Sequence, residues 1–422
     1  MRRPHRARFL PLTAASAVTA LAVAACGSTS ASTTSSTSSA KPITVGISLP
    51  LTGSFAADGQ ATLNGYKLWA SDVNTNGGLL GRPVRLVIRN DNSNEKTVAS
   101  DYNVLINQDH VDLTLAPFST LLTNDALPVT AKYGYALPAG SATGNLVFGA
   151  GGRTYSNLFS VSVPVAVAMK PFSNWVVTLP PGDRRTAAYP MVDDPFADPP
   201  VQATQATLEA HGVHTVYSHI SGPAGIQAEA NAVAHNKPDI VVIGSVDLNS
   251  LLIFVHTFQN AGYTPKVMIA ASGPDQGQAF LNKLNPINAT GIMVPDAWSG
   301  AAPYALSHVM VQDYIAKFGG TASDINADVA EAYSAGEVLA DAVIATKGTD
   351  NKKIISYLHN LPKPGLQTVQ GTARFTSIGK NTGGTGFIYQ WQQGGSFKQV
   401  LPAVAAGSSP VLATKPQWGQ GG

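Results

Sequence analysis

From residue 43 onward the chain alternates between two spacings of its apolar residues. Ile43, Val45, Ile47 and Leu49 are interleaved with Thr44, Gly46 and Ser48, the period-two pattern of a strand. Helical spacing follows over 60–74. The turn residues Asn76-Gly77-Gly78 and Gly81-Arg82-Pro83 then lead into a second alternating segment, 84–90. A helix over 95–108 puts Val98, Tyr102, Leu105 and Ile106 on one face; strand 111–116, helix 123–133 and a short strand 135–139 come next. Repeated strand–helix–strand steps predict a parallel, doubly wound sheet with right-handed crossovers.

The pattern then restarts. Strands are predicted at 187–192, 214–220, 239–244 and 266–271, with helices at 201–210, 225–235 and 249–261 between them. The reading is therefore an α/β chain with two doubly wound parallel-sheet lobes. Helices at 305–318, 329–345 and 352–361 follow. Strand-like segments at 372–375, 387–391 and 397–401 close the fold, and the Gly/Pro-rich residues 403–422 read as a loose, flexible tail.

Composition changes the picture mainly at the N-terminus. Arg2, Arg3, Arg6 and Arg8 precede the short apolar run 10–25, the layout of a secretory signal peptide over 1–25. The run ends in Val23-Ala24-Ala25-Cys26-Gly27, which resembles the bacterial lipobox and makes Cys26 the expected lipid attachment site. Cys26 is the single cysteine of 422 residues, so the sequence offers neither an internal disulfide nor a thiolate metal cluster. Residues 26–40 are a Ser/Thr-rich linker with nothing to bury. Four of the 27 Lys+Arg lie in the signal, leaving 23 against 25 Asp+Glu. That balance gives no electrostatic argument for nucleic acid.

Several segments, in order and spacing, resemble the branched-chain amino-acid-binding (leucine-binding) family of type I periplasmic binding proteins. They are Ile43-Thr-Val-Gly-Ile-Ser-Leu-Pro-Leu-Thr-Gly-Ser, Gly65, Asp72-Val-Asn-Thr-Asn-Gly-Gly-Leu-Leu-Gly-Arg-Pro-Val, Pro117-Phe118-Ser119-Thr120, and Leu137-Pro138-Ala139-Gly140-Ser141-Ala142-Thr143. Ala330-Glu331-Ala332-Tyr333-Ser334, Gly371-Thr372-Ala373-Arg374-Phe375 and Ile388-Tyr389-Gln390-Trp391 complete the set. The resemblance implies three crossings between the lobes, expected near Ser160, 294–295 and Phe375. Lobe 1 would take 41–160 and 296–372; lobe 2 would take 161–295 and 373–402. It also implies a substrate-binding lipoprotein of an ABC transporter: exported, lipid-anchored to the outer face of the cytoplasmic membrane, monomeric, without a cofactor or metal, and working with permease and ATPase subunits.

Ligands of open α/β sheets sit at the carboxyl ends of strands, near helix N-termini. Ser119 and Thr120 occupy such a place as candidate donors, with capping of the next helix as the plainer role. Ser141 and Thr143 follow the next strand. The resemblance adds Phe196 as an aromatic closing over the ligand, Phe55 and Asp58 in the first loop, and Val246 and Asp247 after strand 239–244. Trp298 is a further candidate at the cleft rim. Amino-acid binders of the family commonly put an acid just after the strand equivalent to 266–271. Here the residues are Ala270-Ala271-Ser272-Gly273, so Asp58, Asp247 or Asp275 would have to take that role, Asp275 only if the Gly273-Pro274 loop folds back. That departure predicts a small carboxylate or amide without a strongly basic amine, with branched-chain amino acids as the alternative.

Other classes have less support. The chain has no Gly-x-Ser-x-Gly elbow, phosphate loop or HExxH, so no catalytic residue is assigned. His211, His214 and His219 read as a solvated surface group rather than a zinc site. A ligand sensor for a separate membrane signalling partner, on the same fold, remains an alternative to the importer.

Overall fold

The computed structural model describes residues 40–150, 152–296, 298–300, 304–384, 386–402 and 414–420. The signal, most of the linker and Cys26 lie outside the described residues. Fourteen strands are described: β1 Ile43–Leu49, β2 Val84–Asn90, β3 Leu113–Thr114, β4 Leu137–Ala139, β5 Leu158–Ser160, β6 Thr186–Val192, β7 His214–Ser221, β8 Ile240–Ile243, β9 Val267–Ala270, β10 Ile292–Asp296, β11 Leu366–Thr368, β12 Gly371–Ala373, β13 Phe387–Gln392 and β14 Ser396–Leu401. The helices are α1 Ala56–Thr75, α2 Glu95–Asn107, α3 Thr120–Lys132, α4 Val165–Ala168, α5 Lys170–Val176, α6 Asp198–Ala210, α7 Ile226–Asn236, α8 Leu248–Asn260, α9 Gln278–Ala289, α10 Ala305–Phe318, α11 Ala327–Thr346 and α12 Asn351–His359.

Two main sheets organise them. In the first, β1 lies between β2 and β3 and pairs with both in parallel, Ile43 opposite Val84 and Val45 opposite Leu113. β4 and β5 form a parallel pair alongside, tied to the end of β3 by the Ala116 N–H donating to the Pro138 carbonyl at 3.0 Å. The second sheet runs β14-β13-β10-β9-β8-β6-β7, parallel from β10 to β7 and antiparallel at the β10–β13 and β13–β14 contacts. A two-lobed, doubly wound architecture is thus present.

β1 is buried along its whole length, including the polar positions of its alternation. That burial is tolerable because the hydroxyls are satisfied. Thr44 Oγ1 donates to Asp112 Oδ2 at 2.9 Å and Ser48 Oγ to Asp101 Oδ2 at 2.8 Å. β1 is a central strand covered on both faces rather than half-exposed. The helix α9 escaped the periodicity because Pro286 lies inside it and Asn285 breaks it with φ +61°. Thr372 is not in either main sheet, as β12 pairs only with β11 in a separate hairpin. Residues 414–420, read as tail, are docked: Lys415 N–H donates to the Lys266 carbonyl at 2.7 Å, and the Trp418 indole to the Tyr263 carbonyl at 2.7 Å.

One packing detail governs the site. α1 and α11 lie against each other, with Gly65 facing the Val329 carbonyl and Gly336 facing the Trp69 ring. A Cβ at either glycine would collide with those atoms. Absence of side chains there lets the two helices approach closely and brings their first turns together.

Candidate functional site

A cavity of about 100 Å³ opens where the carboxyl ends of both sets of parallel strands meet. From the first set come Ser119 and Thr120 after β3, Ser141 and Thr143 after β4, and Ser162 after β5. From the second come Asp194 and Phe196 after β6, Val246 after β8, and Ser272, Asp275 and Gln276 after β9. Helix starts add Phe55 and Asp58 at α1, and Asp328 and Glu331 at α11. Trp298 aside, nine of the ten candidates named from the sequence therefore line one cavity.

Asp247 is the exception. Its carboxylate caps α8, accepting the Ser250 N–H at 2.7 Å, while the Asp247 N–H donates to Ser250 Oγ at 3.3 Å. Trp298 is also not at the rim of this cavity. It is fully buried, its indole N–H donates to Ser307 Oγ at 2.7 Å, and it borders a neighbouring cavity. His211, His214 and His219 lie on the surface, with His219 Nδ1 2.8 Å from Glu229.

Ser119 caps a helix and also lines the cavity. Its Oγ accepts the Leu122 N–H at 3.2 Å as the N-cap of α3, and the residue also faces the cavity. Its backbone has φ +74° and ψ 158°, a region that side-chain-bearing residues scarcely enter. Such conformations cost about 1–3 kcal/mol and persist where the surroundings enforce them. Next to it, Thr120 Oγ1 accepts the Gly144 N–H at 2.9 Å, and Ser141 Oγ accepts the Ser119 N–H at 3.0 Å. Thr143 Oγ1 is buried with no partner. This wall is made of hydroxyls whose protons remain available to an acceptor.

Another part of the lining is acidic, and sequence reasoning missed most of it. Asp58, Asp275, Asp328 and Glu331 line the cavity together with Asp194 and Asp296, and no Lys, Arg or His does so among the described residues. Burial, reinforced by Asp275, pushes Asp58 up to about 7. Burial likewise pushes Glu331 up to about 7, although Ser162 Oγ donates to its Oε1 at 2.9 Å. Asp328, only 8% exposed, is raised well above the usual carboxylate range by burial and by its acidic neighbours, Asp58 foremost. Its Oδ2 has no hydrogen-bond partner.

Asp275 reaches this wall despite its distance from β9. Gly273 adopts φ +112°, which folds the Gly273-Pro274 turn back so that Asp275 Oδ1 accepts the Gly273 N–H at 2.6 Å. The adjacent Gln276 spans the cleft. Its Nε2 donates to Asp58 Oδ1 at 2.7 Å, and its Oε1 accepts from Asn326 Nδ2 at 3.0 Å.

A family model for periplasmic binding proteins matches residues 42–396. The chain belongs to the periplasmic binding protein family. That membership carries an extracytoplasmic location and a solute-binding rather than catalytic role. Solved structures agree on the fold. The branched-chain amino acid transporter substrate-binding protein LivJ from Streptococcus pneumoniae, in complex with isoleucine, superposes with a TM-score of 0.72 at 19% identity, covering 85% of this chain and 99% of that one. A leucine-binding protein from Thermotoga maritima gives 0.72 at 15%, covering 85% and 97%. An ABC transporter solute-binding protein from R. palustris, in complex with benzoate, gives 0.72 at 16%, covering 87% and 99%. No curated protein sequence matches the chain.

Proposed function

We propose that this chain is the solute-binding component of an ABC importer, capturing a small polar molecule by hinge closure of two lobes and delivering it unaltered to permease and ATPase subunits. The observation that carries this reading is a single cavity lined from both sheets at the carboxyl ends of their parallel strands. The hinge would run through the connections near Ser160, 294–295 and Phe375, with 41–160 and 296–372 as one lobe and 161–295 and 373–402 as the other. Strand membership supports this division: β5 pairs with β4, whereas β6, β10 and β13 belong to the second sheet. The hydroxyl wall suits a carboxylate or amide head, whereas the acidic wall does not suit such a group alone.

Lipid attachment at Cys26 would hold the protein at the outer face of the membrane. Cys26→Ser should leave the precursor unprocessed or release it to the medium, and a fully processed, membrane-bound variant would refute the anchor. Closure is tested by small-angle scattering of soluble 41–422 with a compound that raises its melting temperature. The radius of gyration should fall on binding and the compound be recovered intact after long incubation. Conversion of the compound, or binding without compaction, would overturn this function.

A further inference from the structure

The lining charges allow the ligand class to be narrowed, and this step rests on the solute-binding reading above. Six carboxyl groups face the cavity and no basic side chain does so among the described residues. A carboxylate ligand would add a seventh acid with no cation to meet it. A neutral zwitterion would bring one ammonium and one further carboxylate, leaving the balance as it was. Only a ligand with net positive charge reduces it.

The acids do not explain one another as structure. Asp194 is used, accepting the Phe196 N–H at 2.7 Å, and Asp275 accepts the Gly273 N–H. Asp328 is different: it is more than nine-tenths buried, it lines the cavity, and its Oδ2 meets no donor. An unpartnered buried carboxyl oxygen is costly unless a ligand donor completes it. Asp58, which accepts from Gln276, and Glu331, which accepts from Ser162, face the same space. Among the described residues no group of three acids or histidines is arranged to hold a metal ion, and an N–H donor on an organic cation fits the set better.

We infer that the ligand is a small organic cation of net positive charge, an amine or guanidinium compound, whose cationic group is received by Asp328, Glu331 and Asp58 and whose polar remainder meets Ser119, Ser141 and Thr143. The surroundings agree. Glu95 on α2 and Asp125 on α3 lie near Asp194 across the cleft, adding to the negative field felt by an approaching solute.

Calorimetry of residues 41–422 against putrescine, agmatine, arginine and lysine, with leucine, benzoate and acetamide beside them, decides the matter. At least one of the four cations should bind roughly 100-fold or more tightly than any of the other three compounds. For that cation, Asp328→Asn and Glu331→Gln should each weaken binding about 10- to 150-fold, the range of a lost charge-assisted hydrogen bond. Both variants should keep the wild-type circular dichroism, and binding at pH 7 should release protons, read from the dependence of heat on buffer. Binding of leucine, benzoate or acetamide with no binding of the cations would overturn the ligand class and leave the solute-binding function standing. Cation binding that survives both variants unchanged would overturn the assigned acids. No binding across the whole panel would count against both.

Discussion

Replacing Ser119 by glycine separates its helix-capping role from the ligand contact proposed for it. Its backbone lies at φ +74° and ψ 158°, where glycine is at ease and serine is strained. Relief of that strain should return about 1–3 kcal/mol. Against it stand the cap, for which glycine is worse than serine by only a few tenths of a kcal/mol, and the freer unfolded chain, about 0.4–1 kcal/mol. The long 3.2 Å distance from Leu122 N–H to Ser119 Oγ argues that little cap strength is lost. The variant should thus be as stable as wild type or up to about 2 kcal/mol more so.

Binding should move the other way. Loss of the Oγ removes one hydrogen bond to the solute, about 0.5–1.5 kcal/mol for a neutral acceptor and 1.5–3 for a charged one. Urea melts of the ligand-free protein and calorimetry with the tightest compound of the panel measure the two effects separately. Thr120→Val is the contrasting control. Its backbone is helical, and it strips the acceptor from the buried Gly144 N–H. That variant should lose about 1–3 kcal/mol of stability. A Ser119→Gly protein that is clearly destabilised yet binds normally would refute the reasoning and leave Ser119 as a cap only.

Three other perturbations have defined outcomes. Gln276→Ala deletes both side-chain hydrogen bonds across the cleft, together about 2–4 kcal/mol, and should enlarge the radius of gyration of the ligand-free protein by scattering and lower its melting temperature by several degrees. Asp247→Ala removes the capping box of α8 and should cost about 1–2 kcal/mol in a urea melt, with affinity within about two-fold of wild type because the side chain does not line the cavity. Ligand-free stability should fall as pH rises from about 4 to about 8. Asp58 and Glu331 at about 7 and Glu337 at about 8 are all raised chiefly by burial and keep protons in the fold that the unfolded chain has released. Each such group contributes up to about 1.4 kcal/mol per pH unit within that window, and melts that strengthen steadily from pH 5 to 8 would contradict the assignment.

Much of the fold was legible because strands in a parallel sheet announce themselves by spacing and by the turns between them. β1, β2, β6 and β9 fall where the alternation put them. What spacing could not convey was local interruption. Asn285 and Pro286 hid α9, and the proline in β10 left that strand readable only as a crossing. The hydroxyl wall was legible for a physical reason: Ser119, Thr120, Ser141 and Thr143 directly follow strands, and strand ends are where such sheets bind. The acidic wall had no comparable sequence signal. Asn326-Ala327-Asp328 reads as an ordinary helix start, and its cap is indeed made, with Asn326 Oδ1 accepting the Asp328 N–H at 2.5 Å.

Tertiary packing, not local pattern, turns that helix start into part of a site. Asp58 and Asp328 are 270 positions apart in the chain, and the glycines at 65 and 336 are what allow α1 and α11 to set their first turns side by side. The same argument applies to the acid missing directly after β9. Asp275 comes late along an extended chain and needs the Gly273-Pro274 loop to fold back, and a glycine at φ +112° makes that turn. Strain at Ser119 and the unpartnered oxygen of Asp328 then fall in the lining of one cavity. Neither is relieved by anything inside the protein. A solute that accepts hydrogen bonds at one end and carries positive charge at the other completes Asp328 and engages the hydroxyls at once. Its binding should therefore stabilise the fold most above pH 7, where the empty acidic wall repels itself most strongly.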